Sequence, residues 1–411
     1  MKTEKIKMRA GWLIDGTGAP ARRNVIIKIE NGIIQSLSDA EFYNVDQNGI
    51  TDFSAFTIIP GLIDSHVHLC MSGAHDQKIR QKQLKSTFAD AEHVISAHLR
   101  QLFLSGVVAV RDGGDYGAYA LRYKKKQQDK KNSIVEMKTA GQAWHNHGRY
   151  GKFMGRAPSE GKTLAEEILY MDKSIDHVKI INSGLNSLKE FGKETLPQFN
   201  LNDLKNTVNA ASSLGLKVMA HANGRLPVKI AIEAGCASIE HGFFMGEKNL
   251  ALMAEKKITW VPTACTMKAY AEHLSKDRIH QDSIEAAILK KILEDQLRQL
   301  AMAKALGVTV AVGTDSGSPG VHHGSSIIEE LKLFMQAGFS LEETLKASVL
   351  NGAKLLGLNK TGPIIKGNKA LFIVVDGSPG GLPESLNKIK AVYTSQGCSR
   401  RKAGHLEISK S

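Results

Sequence analysis

In the stretch GLIDSHVHL, residues 61 to 69, His66 and His68 stand one residue apart at the end of an apolar run. In a strand, alternate side chains leave the same face, so the two imidazoles would sit side by side, about 6–7 Å apart. Neutral imidazole is a common ligand of divalent transition metals, so the pair could fill part of a coordination shell. An H-x-H alone also occurs in many unrelated proteins, and a metal needs further ligands. Candidates stand late in other apolar runs: Lys179 in VKIINSG, His221 in VMAHANG, His241 in SIEHG and Asp315 in VGTDSG. Each also has an ordinary structural use. A lysine in an apolar strand can run its stem outward to solvent, a single histidine can be a hydrogen-bonded core residue, and Asp315 can cap a turn.

Bringing six such groups together needs a scaffold that joins distant segments at one end. Between residues 57 and 317 short apolar runs alternate with helical patterns. The strand candidates are 57–69, 107–114, 135–141, 177–184, 217–224, 238–244, 259–266 and 309–317. Helix-like segments lie at 86–105, 163–173, 201–214, 226–234, 247–256 and 283–306. In 201–214, for example, Leu201, Leu204, Val208 and Leu214 fall near one helical face and Gly215 stops the pattern. Strands alternating with helices predict parallel βα units, and eight of them predict a closed (β/α)8 TIM barrel. The six groups then stand at the carboxyl ends of the strands, where such barrels build their sites.

The flanks read differently. Residues 4–56 give short alternating strands with turn signals at Asp15-Gly16, Asn31-Gly32 and Asn48-Gly49. Helices at 325–337 and 341–352 are followed by strand-like stretches at 368–376 and 389–395. The expected architecture is therefore α/β: a barrel over residues 59–359, with a small β-sandwich built from both termini, residues 1–58 plus 360–411.

Composition narrows the partners. The chain has 411 residues, 42% of them hydrophobic and 23% charged, as in an ordinary globular protein. No run of 18 or more apolar residues occurs, so no membrane span is expected. The start, MKTEKIKMRAGWLIDGTG, lacks the apolar core and cleavage site of a secretory signal. The four cysteines are scattered without C-x-x-C, which fits a reducing cytoplasm. The net charge of +13 raises nucleic acid as a partner. However, the densest basic stretch, KKKQQDKK at 124–131, has no aromatics interleaved and no nucleic-acid motif beside it. It reads as a solvated surface helix and following loop, and the charge as an attraction for anionic small molecules.

With these motifs in order, the chain resembles the amidohydrolase superfamily of metal-dependent hydrolases. The resemblance runs through PGLIDSHVHL, VKIINSG, VMAHANG, SIEHG and VGTDSG, and on through HGSSIIEELKLFMQAGFSLEETLKASVLNGAKLLGL at 323–358. More narrowly the chain is similar to the branch of prolidase-like and arginine/lysine-type carboxypeptidases and imidazolonepropionase-related proteins. The resemblance implies two divalent metal ions, zinc first, with manganese, cobalt or iron as substitutes. His66, His68 and Asp315 would hold one and His221 and His241 the other. Lys179 would bridge them after carboxylation by CO2, since a carbamate is anionic and an ammonium would repel both cations.

The implied reaction is hydrolysis of an amide or peptide C–N bond by a metal-bridging hydroxide. Asp315 would carry the proton to the leaving nitrogen and His147 would help with the oxyanion. Relatives carry Gly-Gly before the His-Gly pair that follows strand 3, whereas this chain has His145-Asn146 before His147-Gly148, which makes His145 a second candidate. Arg225, after HANG, and Arg149, after His147-Gly148, are candidates to grip a substrate carboxylate, as surface arginines are otherwise common. His322 and His323 lie in the loop after the last barrel strand and line or cover the pocket. The expected substrate is a dipeptide or N-acyl amino acid with a free carboxylate, handled by a homo-oligomer. A lactam, imide or organophosphate would suit the same metals. Deamination of an amino-heterocycle is a rival, although its usual H-x-x-E is replaced by His221-Ala-Asn-Gly224. A non-catalytic scaffold is the alternative of another class, and the retention of all six ligand types speaks against it.

Overall fold

The computed structural model describes residues 5–40, 49–128, 134–187, 189–276, 283–394, 397–402 and 405–409. β1 (Lys5–Leu13), β2 (Arg22–Glu30) and β3 (Ile33–Asp39) form an antiparallel meander, and β4 (Ile50–Pro60) lies parallel to β1 on its other side. Asn31 and Gly32 both have positive φ, as the two-residue turn between β2 and β3 requires. Of the expected turn at Asn48-Gly49, Asn48 lies outside the described residues.

The strand expected over 57–69 divides at Gly61 into the end of β4 and β5 (Leu62–Val67). Pro60 offers no N–H to a ladder. A Cβ on Gly61 would fall 2.5 Å from Val108 Cγ1, so the chain changes sheets at the one position without a side chain.

The alternating part follows. It runs through α1 (Gln77–Leu84), α2 (Phe88–Leu104), β6 (Val107–Asp112), α3 (Tyr119–Gln128), β7 (Glu136–Thr139), β8 (Ala143–Trp144), β9 (Gly155–Arg156) and α4 (Leu164–Leu169). It continues with β10 (His177–Ile181), α5 (Leu201–Ser213), β11 (Lys217–Ala222), α6 (Arg225–Ala234), β12 (Ser238–His241), α7 (Gly246–Lys256) and β13 (Thr259–Val261). Then come α8 (Cys265–Lys276), α9 (Ile284–Ala305), α10 (Ser325–Gln336) and α11 (Leu341–Lys346), a π-helical turn (Ala347–Asn351) and α12 (Gly352–Leu356). β14 (Phe372–Asp376), β15 (Ile389–Thr394), β16 (Gly397–Lys402) and β17 (His405–Ser409) complete the chain.

Local chemistry explains several boundaries. Reciprocal capping boxes start α2 (Thr87 with Asp90), α4 (Thr163 with Glu166) and α11 (Ser340 with Glu343). α1 is absent from the sequence reading because QKIRQKQL buries no residue; Asp76 starts it by accepting from the Lys78 and Ile79 N–H groups. The strand expected over 259–266 stops at Val261, before Pro262. Ala264 and Cys265 instead donate their N–H groups to Glu330 and open α8.

The strand expected over 309–317 is also corrected. Its backbone bonds are divided between two neighbours: Trp260 N donates to Thr309 O, while Ser65 N donates to Val312 O and Asp315 N to His66 O. Val312 N goes to Ala347 O, and Asp315 sits at φ 58°. The segment therefore makes isolated parallel bridges, Trp260 with Val310 and Val67 with Ser316, in place of a regular strand.

Strands from both ends of the chain share one mixed sheet, ordered β17-β16-β15-β14-β4-β1-β2-β3. The alternating part forms parallel sheets ordered β5-β6-β7 and β13-β12-β11-β10-β8-β9, with 309–316 bonded to both β13 and β5. Leu99, Val110, Ile180, Ala220, Ile239 and Trp260 belong to the large apolar core between strands and helices, and Val25, Ile27, Phe372 and Val374 to a separate core on the mixed sheet. Val107–Asp112 and His177–Ile181 are buried throughout, which accounts for their continuous apolar runs. Lys124, Lys125 and Lys126 of the basic stretch lie on α3 and pair with Asp176, Asp172 and Glu92; residues 129–131 lie outside the described residues. Among the described residues no helix is long and apolar enough to cross a membrane.

Candidate metal centre

β5 delivers His66 and His68 to one spot. His66 Nε2 lies 3.5 Å from Asp315 Oδ1 and 3.5 Å from Lys179 Nζ, and His68 Nε2 lies 3.4 Å from Asp315 Oδ1. One ligating atom from each of His66, His68 and Asp315 falls within 4.8 Å of the others. The His241 ring centroid is 5.0 Å from that of His66 and 4.6 Å from that of His221. The structure thus brings together all six residues singled out as ligands.

The rings are oriented from behind. His66 Nδ1 is 2.8 Å from Glu240 Oε2, His68 Nδ1 is 3.1 Å from Gly114 O, and His241 Nδ1 is 2.7 Å from Thr263 Oγ1. Each contact uses Nδ1 and leaves Nε2 for a ligand, the arrangement metal-binding histidines need. His221 uses the other nitrogen: its Nε2 is 3.3 Å from Gly184 O.

Burial sets the charges. It drives His66 and His241 well below the usual imidazole value, His68 down to about 4 and His221 to about 3, with Lys179 adding repulsion. All four are therefore neutral, with lone pairs available, at physiological pH. Burial also pulls Lys179 down to about 8 and lifts Asp315 to about 7, the latter opposed by a hydrogen bond from Ser318. Neutral nitrogen donors, a carboxylate and an amine that is partly unprotonated form a donor set that suits a divalent transition metal.

The backbone makes room for it. A Cβ on Gly113 would lie 2.8 Å from His68 Cε1 and 3.4 Å from His66 Nε2, so the absence of a side chain there keeps the ligand face clear. His241 and Asp315 have φ of 66° and 58°, a left-handed conformation uncommon outside glycine and asparagine. Such strain clusters at functional positions.

Two residues behind the candidate ligands, Glu240 and Arg111, carry no signal that the sequence pattern picked out. Glu240, fully buried, takes His66 on one oxygen and Arg111 Nη2 at 2.8 Å on the other. Arg111 also donates to Ser65 O at 2.7 Å and Ser238 Oγ at 2.9 Å. The signal for Glu240 lay in SIEHG, but strand alternation assigns adjacent residues to opposite faces. The left-handed turn at His241 lets both neighbours reach the centre.

A cavity of about 370 Å³ opens over the cluster and is lined by His68, Lys179, His221, His241 and Asp315. The residues expected to hold substrate are placed elsewhere. His147 and Arg149 are exposed, Arg149 Nη2 reaching Leu196 O, and the Arg225 side chain is 81% exposed beside Glu194. His145 is buried with Nδ1 2.8 Å from Asn146 O. None of these four lines the cavity. Nor do the two histidines after 309–317: His322 is exposed, and His323 stacks on His98 at 3.8 Å. Arg80, Tyr150 and Tyr270 line it instead.

Comparison with known proteins locates this arrangement. The family model described as "Amidohydrolase family" matches residues 57–400. Ochratoxinase of Aspergillus niger is 28% identical over 204 residues, 49% of this chain and 41% of its own length, so the match spans under half of that relative. Imidazolonepropionase of Clostridium tetani is 23% identical over 393 residues, 86% of this chain and 84% of that protein. The crystal structure of a Xaa-Pro dipeptidase with bound methionine in the active site superposes with a TM-score of 0.80 at 25% identity, covering 99% of this chain and 100% of that one.

Proposed function

Because this chain belongs to the amidohydrolase family, we propose that it is a metal-dependent hydrolase of C–N bonds whose substrate is a dipeptide or N-acyl amino acid. The observation that carries this reading is the convergence of four neutral imidazoles, Lys179 and Asp315, all of them except the fully enclosed His66 lining the floor of one cavity. The similarities to a Xaa-Pro dipeptidase and an imidazolonepropionase support C–N hydrolysis as the reaction class.

On this reading the two parallel sheets and the 309–316 segment bonded between β13 and β5 form one closed (β/α)8 barrel over 59–359, and residues 1–58 and 360–411 form the composite β domain. His66, His68 and Asp315 would hold one divalent cation, and His221 and His241 a second. When bound, such cations, zinc first among them, polarise an amide carbonyl and make water nucleophilic near neutral pH. Lys179, drawn down to about 8, offers enough neutral amine to react with CO2, and the resulting carbamate would supply an oxygen to each site.

The chain's own residues divide the remaining work. Neutral imidazoles keep their lone pairs because Glu240, Gly114 O and Thr263 hold the opposite nitrogens. Asp315, whose carboxylate stands 3.4–3.5 Å from the Nε2 atoms of His66 and His68, is placed to take a proton from the attacking water and return it to the leaving amine. The buried thiols of Cys70, Cys236 and Cys265 are unpaired, which supports a reducing, cytoplasmic setting. The test is a hydrolysis screen of the purified chain, with zinc and bicarbonate supplied, over dipeptides, N-acyl amino acids, lactams and amino-heterocycles. A free α-amine released from the first two classes is expected. Ammonia released from a heterocycle without amide cleavage would overturn the reaction class.

A further inference from the structure

The cavity above the ligand cluster has one cationic side chain outside that cluster among the described residues, Arg80 on α1. It is held in place by backbone. Its Nη1 donates to Ser72 O at 3.0 Å and to Gly317 O at 2.9 Å, with Ala74 O at 3.5 Å. Those carbonyls belong to the loop after β5, which holds His68, and to the segment that follows Asp315. Arg80 is thus tied to the chain just beyond His68 and just beyond Asp315.

Among the described residues no carboxylate lies within ion-pair distance of the Arg80 guanidinium. Its hydrogen bonds to Ser72, Ala74 and Gly317 all use Nη1 and go to neutral carbonyls. The nearby titratable groups that act on it are Tyr270, Asp315 and Tyr150, all of which line the same cavity. An arginine fork anchored by one nitrogen, without a carboxylate of its own, is preorganised for an anion. The rest of the wall is mostly apolar: Met71, Met154, Phe153, Phe243 and Met267 face the same space. A largely apolar cavity with one fixed cation beside a reaction centre suits a ligand with a hydrocarbon part and a single carboxylate.

The geometry points to Arg80 as the residue that selects a substrate carboxylate next to the scissile amide, in the place sequence reading gave to Arg225 or Arg149. The nature of the bond beside that carboxylate rests on the hydrolase reading; the recognition of an anion by Arg80 does not.

The test compares matched anionic and neutral probes on zinc- and bicarbonate-loaded enzyme. N-acetyl-L-leucine is assayed beside N-acetyl-L-leucinamide, and binding of L-leucine beside L-leucinamide is followed by calorimetry. Arg80→Met should lower kcat/KM for the carboxylate probe roughly 10- to 100-fold, chiefly through KM, and weaken L-leucine binding by a similar factor. The carboxamide probes should shift by less than about threefold. Arg80→Lys should recover part of the loss, because it restores charge without the fork. Because Arg80 also braces two loops, metal content and thermal midpoint are measured for both variants. The ratio of anionic to neutral probe is the deciding quantity and is insensitive to a general loss of folded protein. Equal losses on both probes, or no loss on either, would overturn the assignment. Should wild type cleave neither acetylated probe, the reaction reading suffers, while the calorimetric pair still decides for or against Arg80.

Discussion

His66 Nδ1 lies 2.8 Å from Glu240 Oε2, and the other oxygen of the same carboxylate takes Arg111 at 2.8 Å, all three groups buried. The carboxylate accepts from His66 Nδ1–H, which fixes the tautomer with its lone pair on Nε2, the nitrogen facing Asp315 and Lys179. Replacement by glutamine keeps the shape and removes the charge. Glu240→Gln should weaken zinc binding by roughly 10- to 100-fold, measured by competition with a chromophoric chelator. Unchanged affinity would show that His66 needs no such partner.

Gly113 offers a steric version of the same test. A methyl group there would stand 2.8 Å from His68 Cε1. Its φ is not among the positive ones, so Gly113→Ala strains space without straining backbone. Bound metal per chain should fall and affinity drop by roughly tenfold or more, since ligand geometry tolerates displacements of only about 0.5 Å. Full metal occupancy in this variant would mean that the ligands do not converge where the rings suggest.

Lys179 is fully enclosed, at 1% exposure. Lys179→Met removes the only amine in contact with His66 among the described residues. Metal content, read by mass spectrometry of the purified protein, is expected to fall from two ions to one or none. Wild-type activity lost under CO2-free conditions should return with bicarbonate, and the variant's should not. Two tightly held ions in Lys179→Met would rule out a bridging role.

Glu330 gives a pH dependence away from the centre. Burial lifts its carboxyl to about 7, against the N–H groups of Cys265 and Ala264 that favour the charged form. The folded state therefore holds this proton more tightly than the unfolded chain does. Its contribution to stability is complete below the ordinary carboxyl range and is lost as pH rises through about 7. Relative to Glu330→Gln, wild type should lose about 3 kcal/mol between pH 4.5 and pH 8, read from denaturant unfolding of both proteins at each pH. A constant difference across that range would refute the assignment.

Arg225 and Arg149 provide the contrast with Arg80. The first is 81% exposed and the second spans outward to Leu196 O. Alanine at either position should leave kcat/KM within about threefold, the range of ordinary surface substitutions. A loss of a hundredfold or more in either would move substrate recognition to the rim.

The candidate ligand residues were legible because each is a chemically distinctive side chain at the end of an apolar run, and that context survives in a linear string. His66, His68, Lys179, His221, His241 and Asp315 could be named without knowing any distance. So could α5, whose apolar spacing and capping asparagine are local properties of 200–214. α1 carries no such pattern, as QKIRQKQL is polar on every face, and Arg80 was therefore invisible as a wall of the cavity.

What the amino-acid order determined by itself was the donor chemistry and the alternation of strand and helix, since both depend on residue type and short-range spacing. Tertiary structure decided the rest. The left-handed turn at His241 puts Glu240 and His241 on the same centre against strand alternation, and the divided bonding of 309–316 replaces a strand by two bridges. Whether an arginine faces a cavity or solvent depends on which loops brace it, here Ser72 and Gly317, which are 245 positions apart (317 − 72). Contacts over such separations are set by the packing of the whole chain, and no local pattern encodes them.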